Sequence, residues 1–405
     1  MEPRRLPEDP MIRQLIRHAR AAQLTRRSVL AGAGAGALAM MLAACTPAEE
    51  DSGPLTPAKD LSSTNKNVVW ANWQAYIDQD DNGNSPSLNA FTKQAGIKVS
   101  YDVTVDDNNT YYSTVHDALA QGKSIGADTV CLTDWMVARM ARLGYLQEFD
   151  AANIPNLKNL EPQLKNPDFD PGRKRSIPWQ SGYAGICWNK GQVPNGLTNV
   201  SDLWDSSLTG KVGVLSEMRD TMGLLLLDAG VDISEKFTDE EFSTAIDLLE
   251  QQVAKGQIRN VKGNDYLDDL KSGATLAAIC WSGDITQLNG EAGDNWVFAL
   301  PERGGTLWSD NFLVPMGSAR KANVEKLINY YYEPAVAAEV AAWVNYITPV
   351  VGAKEAAAKI DPKLAEDQWI FPDENTLANA HIFRTLSPAE EQKYQTEFEN
   401  VILGT

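Results

Sequence analysis

Residues 211–228 read KVGVLSEMRDTMGLLLLD, and this stretch decides how the chain is read. Val212 to Leu215 is a short apolar run with a β-branched bias, which predicts a buried strand. Met222 to Leu227 is apolar on nearly every side, which predicts the interior of a helix packed on that strand. Between them stand Ser216, Glu217, Met218, Arg219 and Asp220. Two carboxylates three residues apart thus fall at a strand's C-terminal end and on the first turn of a helix, the edge at which α/β sheets bind ligands. Two readings follow. Ser216 caps the helix while Glu217 and Asp220 complement its dipole, or the two acids face a ligand.

The same alternation runs outward in both directions. At 405 residues the chain is too long for one compact core, so two domains of α/β character are expected. Upstream, residues 67–73 form a strand leading to Trp73 and Tyr76. Residues 128–132 form another, delivering Thr133, Asp134 and Trp135 to a loop. An extended run over 183–188, entered through Pro178 and Trp179, is long enough to pass between domains. Downstream, residues 275–281 end a strand at Trp281-Ser282-Gly283-Asp284, and residues 306–315 form a second crossing strand that carries Trp308 and Asp310. Thr238 with Glu241 makes a capping box for a helix over 238–255. Asp78, Asp80, Asn82 and Gly83 begin like a calcium loop, but Pro86 and Asn89 stand where ligands are needed, which favours a polar turn.

The first 44 residues are set apart from the fold. Thr25-Arg26-Arg27-Ser28-Val29-Leu30 resembles a twin-arginine signal, and residues 31–44 are too short an apolar run to span a bilayer. The run ends in Leu42-Ala43-Ala44-Cys45, which resembles a lipobox, so lipidation at Cys45 and an extracytoplasmic membrane anchor are expected. Residues 45–66, polar and rich in Pro and Ser, are expected to be a flexible tether. Residues 1–44 hold seven Arg and three acids, so the remainder carries −22 where the whole chain carries −18. That acidity suits a cationic ligand and argues against nucleic acid. Cys131, Cys187 and Cys280 lie in apolar runs and read as buried thiols.

Catalytic constellations find little support. His116 and His381 have no partner at metal-ligand spacing. There is no phosphate-binding loop, dinucleotide fingerprint or nucleophile elbow. No enzyme, cofactor or metal is expected. What recurs at predicted strand ends is an aromatic beside a polar or acidic residue. The cases are Trp73 with Tyr76, Thr133 with Trp135, Glu217 with Asp220, Trp281 with Asp284, and Trp308 with Asp310. Aromatic faces attract cations, at about 0.5–2 kcal/mol a contact, and buried carboxylates need a charged partner. Rings covering methylenes, with acids at intervals, suit a flexible alkyl chain bearing ammonium groups.

These motifs, in this order from Asn67 onward, resemble the spermidine/putrescine-binding proteins of bacterial ABC transporters. The carrying stretches are Asn72-Trp73 with Tyr76, Asp128 with Thr133-Asp134-Trp135, Ser216 to Asp220, Ile279 to Asp284, Gly304 to Asp310, and Tyr346-Ile347-Thr348-Pro349. The resemblance implies a two-lobed α/β fold of the type II periplasmic-binding-protein kind, with two crossing strands at the hinge and a polyamine closed between the lobes. Lobe 1 is expected at 67–185 and 309–356, and lobe 2 at 186–308 and 357–405. The resemblance also implies that Trp73, Tyr76, Trp135, Trp281, Trp308 and Tyr346 form an aromatic box, with Thr133 adding a hydroxyl. Glu217, Asp220 and Asp310 would bind the amines, and Asp284 is either a helix cap or a further contact. The family has Glu where Asp220 stands and a polar amide where Phe383 aligns, which leaves the particular polyamine open. The expected partners are a polyamine, the permease subunits and, through the lipid, the membrane, for a chain acting as a monomer. The alternative is the same fold serving a sugar, another cationic metabolite or a metal complex.

Overall fold

A computed structural model describes residues 54–403. The elements, in chain order, begin with β1 (Asn67–Trp73), α1 (Pro86–Ala95), β2 (Lys98–Val105), α2 (Asn108–Ala120), β3 (Thr129–Thr133) and α3 (Asp134–Arg142). The long strand β4 (Ile177–Asn189) leads to β5 (Val212–Leu215), α4 (Met218–Asp228), α5 (Asp239–Ala254), β6 (Ile258–Lys262) and α6 (Tyr266–Lys271). Then come β7 (Ala277–Trp281), α7 (Ser282–Ala292), β8 (Trp296–Ala299) and the second long strand, β9 (Gly305–Leu313). The chain finishes with α8 (Lys321–Tyr331), α9 (Pro334–Val344), α10 (Ala353–Ile360), α11 (Glu374–Ala378), β10 (Ala380–His381) and α12 (Pro388–Leu403).

One sheet runs through both lobes in the order β2-β1-β3-β9-β4-β7-β5-β6, with β8 beside β4 and β10 beside β9. Parallel pairs lie at its two ends: β1 with β2 and β3, and β5 with β6 and β7. The middle is antiparallel. β9 pairs with β3 from Asp310 to Leu313, and with β4 from Thr306 to Phe312. β4 in turn meets β7 from Ala184 to Trp188. Each crossing strand therefore has one end in each lobe, as expected from the two extended runs, and β4 starts at Ile177 rather than at residue 183.

Local sequence explains the elements that carry the site. β5 is buried at all four positions, and α4 is buried from Met218 to Leu227, as a helix with apolar residues on every side must be. Thr238 and Glu241 form the expected capping box on α5, with Thr238 N–H donating to Glu241 Oε2 at 2.7 Å. α9 opens on Pro334 and ends at Asn345, whose left-handed φ of 59° stops the helix and turns the chain into Tyr346.

Two expectations are corrected. Ser216 does not cap α4; its hydroxyl donates to Asp107 Oδ2 at 2.9 Å, and Glu217 occupies the N-cap position without a side-chain cap bond. The tether ends earlier than residue 66. Ala58 N–H donates to Met316 O, Leu61 N–H donates to Ala319 O, and buried Ser62 accepts from Asn323 N–H, so this part is fastened to lobe 1. Ahead of β5, Leu203 and Trp204 lie in a short 3₁₀ turn with Leu203 fully buried. Asp80 closes the polar turn by accepting from Asn82 and Asn84 N–H. Cys131, Cys187 and Cys280 are free and buried. The signal and the Cys45 lipidation fall outside the described residues.

Candidate functional site

The C-terminal edges of β1, β3, β5 and β7, with the middle of β9, converge on one cleft of about 770 Å³, counting the open space at its mouth. From the first lobe it is lined by Trp73, Tyr76, Thr133, Trp135 and Tyr346. The second lobe adds Glu217, Asp220, Trp281 and Asp284, and β9 contributes Trp308 and Asp310. All eleven residues singled out from the sequence therefore face one space, although they span more than 270 positions of chain.

The rings are held edge to face. Trp73 meets Trp281 at 6.1 Å and 76°, and Tyr346 meets Tyr76 at 5.4 Å and 84° and Trp308 at 5.2 Å and 63°. Trp73 is fixed by donating its indole N–H to Cys131 O at 3.0 Å. Tyr346 is wedged between two glycines. A Cβ on Gly182 would lie 2.6 Å from the rings of Tyr346 and Trp308, and one on Gly283 would lie 2.7 Å from Tyr346. Only glycine leaves room for that ring.

The carboxylates are buried and held by neutral donors. Register pairs Thr133 with Asp310, and Thr133 Oγ1 donates to Asp310 Oδ1 at 2.7 Å. Asp220 accepts from Trp281 Nε1 at 2.9 Å and from Thr306 Oγ1 at 2.7 Å. Glu217 Oε1 accepts the backbone N–H and the side-chain amide of Asn108, both at 2.7 Å. Glu217 and Asn108 come from opposite lobes, so this carboxylate already bridges the cleft at the first turn of α2. Asp284 accepts from the hydroxyls of Tyr346 at 2.8 Å and Tyr266 at 3.0 Å, and from Asn264 at 3.2 Å. All three donors are side chains, Tyr346 at the cleft wall among them, and α7 has no side-chain cap bond at its N-cap.

Burial is the first cause of every shift here. It lifts Asp310 to about 7 against the opposing bond from Thr133, and Asp284 to about 6 against the Tyr346 bond. Asp220 is raised by burial although Thr306 and Trp281 oppose it. Glu217 is pushed well up by burial and then by the nearby charge of Asp107. Among the described residues no Lys or Arg makes an ion pair with any of these four. Among the described residues the one guanidinium in the cleft lining is Arg219, and its ion pair is with Glu391, so the four carboxylates keep no salt-bridge partner of their own.

Several lining residues escape sequence reading. Asn108 follows the N-cap of α2, where a run of Asp and Asn signals only a helix start. Arg219 sits inside the opening stretch, but its partner Glu391 is 172 positions away. Its guanidinium lies 4.0 Å from the centroid of Trp135, and that of Arg139 lies 5.0 Å from it. Trp135 therefore lines the cleft with a ring already stacked by protein cations. Phe383 lines the same end of the cleft and packs edge-on against Phe237 at 5.6 Å.

Comparison with known proteins gives a consistent picture. Residues 87–368 match the family described as bacterial extracellular solute-binding protein. The spermidine/putrescine-binding periplasmic protein 1 of Haemophilus influenzae is 29% identical over 349 residues, covering 85% of this chain and 90% of its own. The spermidine/putrescine-binding periplasmic protein of Escherichia coli K12 is also 29% identical, over 78% of this chain and 86% of its own. The solved spermidine/putrescine ABC transporter substrate-binding protein of Streptococcus pneumoniae aligns with a TM-score of 0.67 at 25% identity, covering 83% of this chain and 98% of that one.

Proposed function

Because this chain belongs to the bacterial extracellular solute-binding protein family, we propose that it captures a polyamine of the spermidine/putrescine class outside the cytoplasm and hands it to an ABC transporter permease. The observation that carries this reading is the cleft itself: four buried carboxylates that no Lys or Arg salt-bridges among the described residues, set among Trp and Tyr rings. Desolvated carboxylates are stabilised by a charge-paired, hydrogen-bonding cation, and ring faces cover its methylenes. The names of the relatives support the same ligand class.

In this reading Glu217, Asp220 and Asp310 bind the ammonium groups. Trp73, Tyr76, Trp281, Trp308 and Tyr346 wall the alkyl chain, Thr133 positions Asp310, and Asp284 positions Tyr346. Trp135 closes one end together with Arg219. The lobes divide at 67–185 with 309–356, and at 186–308 with 357–405, because β4 and β9 cross between them near residues 185 and 308. The chain binds and releases, without chemistry on the ligand. Its anchor is lipid on Cys45; no described helix is long and apolar enough to cross a membrane. Intact mass of the exported protein checks this, since an unmodified Cys45 removes the anchor.

Thermal shift with putrescine, spermidine and spermine against neutral sugars tests the ligand class. Ligand at 100 times its dissociation constant should stabilise the fold by about 2.7 kcal/mol. Stabilisation by a sugar and by none of the three amines would overturn the proposal.

A further inference from the structure

Beyond the cleft, one carboxylate gathers three guanidinium groups. Glu391 on α12 is only 6% exposed, and it accepts from Arg139 Nη2 at 3.1 Å, Arg142 Nη2 at 3.1 Å and Arg219 Nη2 at 3.3 Å. The three cations do not come from one body. Arg219 is on α4, and α12 is tied to α5, where Tyr394 stacks on Phe242 at 3.9 Å and donates its hydroxyl to Asp239 at 2.7 Å. Glu391 and Arg219 therefore move with the second lobe. Arg139 and Arg142 are on α3, directly after β3, and Arg139 also donates to Asn109 Oδ1 on α2 at 2.8 Å. Those two move with the first lobe.

We infer that Glu391 is an interlobe clasp that holds the closed form and seats Trp135, so that it sets how slowly ligand leaves. This inference rests on the reading of the cleft as a polyamine site that closes between lobes. Arg219 alone would balance the charge of Glu391, so the two arginines from the opposite lobe are an added attraction that exists only when the lobes are together. Arg139 and Arg219 both lie over Trp135, at 5.0 and 4.0 Å, so opening the clasp also frees that ring. Replacing the carboxylate leaves three guanidinium groups crowded across the seam, which drives it apart. Glu391 is a positioning residue and is not part of the cleft lining.

The experiment compares wild type with Glu391→Gln, Arg139→Gln and Arg142→Gln by stopped-flow release of spermidine and by small-angle scattering of the ligand-free protein. Glu391→Gln should release spermidine about tenfold faster or more, with most of the affinity change in that rate. Arg142→Gln, whose side chain is 40% exposed and whose loss does not threaten folding, should speed release by no more than about fivefold. Both should enlarge the ligand-free radius of gyration. Combining Glu391→Gln with Arg139→Gln should cost less than the sum of the two. A lowered Tm with unmoved release rates and radius would mean Glu391 serves only the fold, and would overturn the clasp. If wild type binds no polyamine, the proposed function falls; the ligand-free radii still judge the clasp, and equal radii for wild type, Glu391→Gln and Arg142→Gln overturn it.

Discussion

At the scale of single residues, the site is governed by where its protons sit before ligand arrives. Asp310, raised to about 7, and Asp284, raised to about 6, are carboxyls whose folded values lie above the ordinary 3.8. The ligand-free fold thus holds protons that the unfolded chain has released. Their contribution to stability is full below about pH 4 and is lost as pH climbs through 6 to 7, so the ligand-free Tm should fall across that window. Binding has the opposite sign, because an ammonium group needs the ionised acid. Calorimetry near pH 6 in buffers of different ionisation enthalpy should show net proton release on binding, and affinity should rise between pH 5 and 8. Asp310→Asn should lower that release by about one proton and weaken spermidine binding by roughly thirtyfold or more, the cost of removing one side of a desolvated charge pair. An unchanged proton count in Asp310→Asn would transfer the role to another acid. The capping reading of Glu217 and Asp220 is open to the same kind of test. Neither side chain caps α4, so Asp220→Asn should lower affinity far more than it lowers ligand-free Tm; the reverse would return the pair to a structural role.

At the scale of elements, small residues decide what large ones can do. Tyr346 reaches the cleft because Asn345 ends α9 in a left-handed conformation and because Gly182 and Gly283 present no Cβ. Gly283→Ala, on the first turn of α7, has ordinary helical backbone, yet its methyl would push against the Tyr346 ring. Overpacking of this kind costs about 1–3 kcal/mol, and the displaced ring should loosen its bond to Asp284. The expected outcome is a folded protein with a lower Tm and weaker spermidine binding; wild-type affinity would show that the Tyr346 wall does not matter. The same contrast explains what was legible in the sequence. Strand ends carrying Trp, Asp and Glu announce themselves locally, so the lining of the cleft and the two crossing strands could be read from the chain. Contacts made by register or by the final helix could not. Nothing near Arg219 signals Glu391, nothing near Gly182 signals Tyr346, and Ser216 looks like a cap until Asp107 arrives from the other lobe. Residues 58–65 have a linker's composition, yet backbone bonds to Met316 and Ala319 fasten them down.

At the scale of the molecule, the question is whether the ligand can supply enough free energy to hold two lobes together. The lobes meet through neutral and like-charged groups on one side of the mouth, where Asn108 reaches Glu217 and Asp107 accepts from Ser216. They are clasped at Glu391 on the other. Asp107 and Glu217, one from each lobe, are both raised by burial, and the charge of Asp107 raises Glu217 further. Closing the cleft empty therefore brings two acids together without a cation between them, which works against the clasp and keeps part of the ligand-free population open. Moving such an equilibrium from 1:99 to 99:1 takes about 5.5 kcal/mol of preference for the closed state. Two ammonium–carboxylate pairs formed only on closure, at about 2–5 kcal/mol each, are of the right size. One pair alone is not. The prediction follows from that arithmetic: spermidine or putrescine, each bearing at least two ammonium groups, should contract the radius of gyration at saturation. A monoamine of similar length should bind weakly and leave it near the ligand-free value. Equal contraction by the monoamine would show that ring contacts, and not paired charges, close the lobes. An unchanged profile with every amine would mean the hinge does not move on binding.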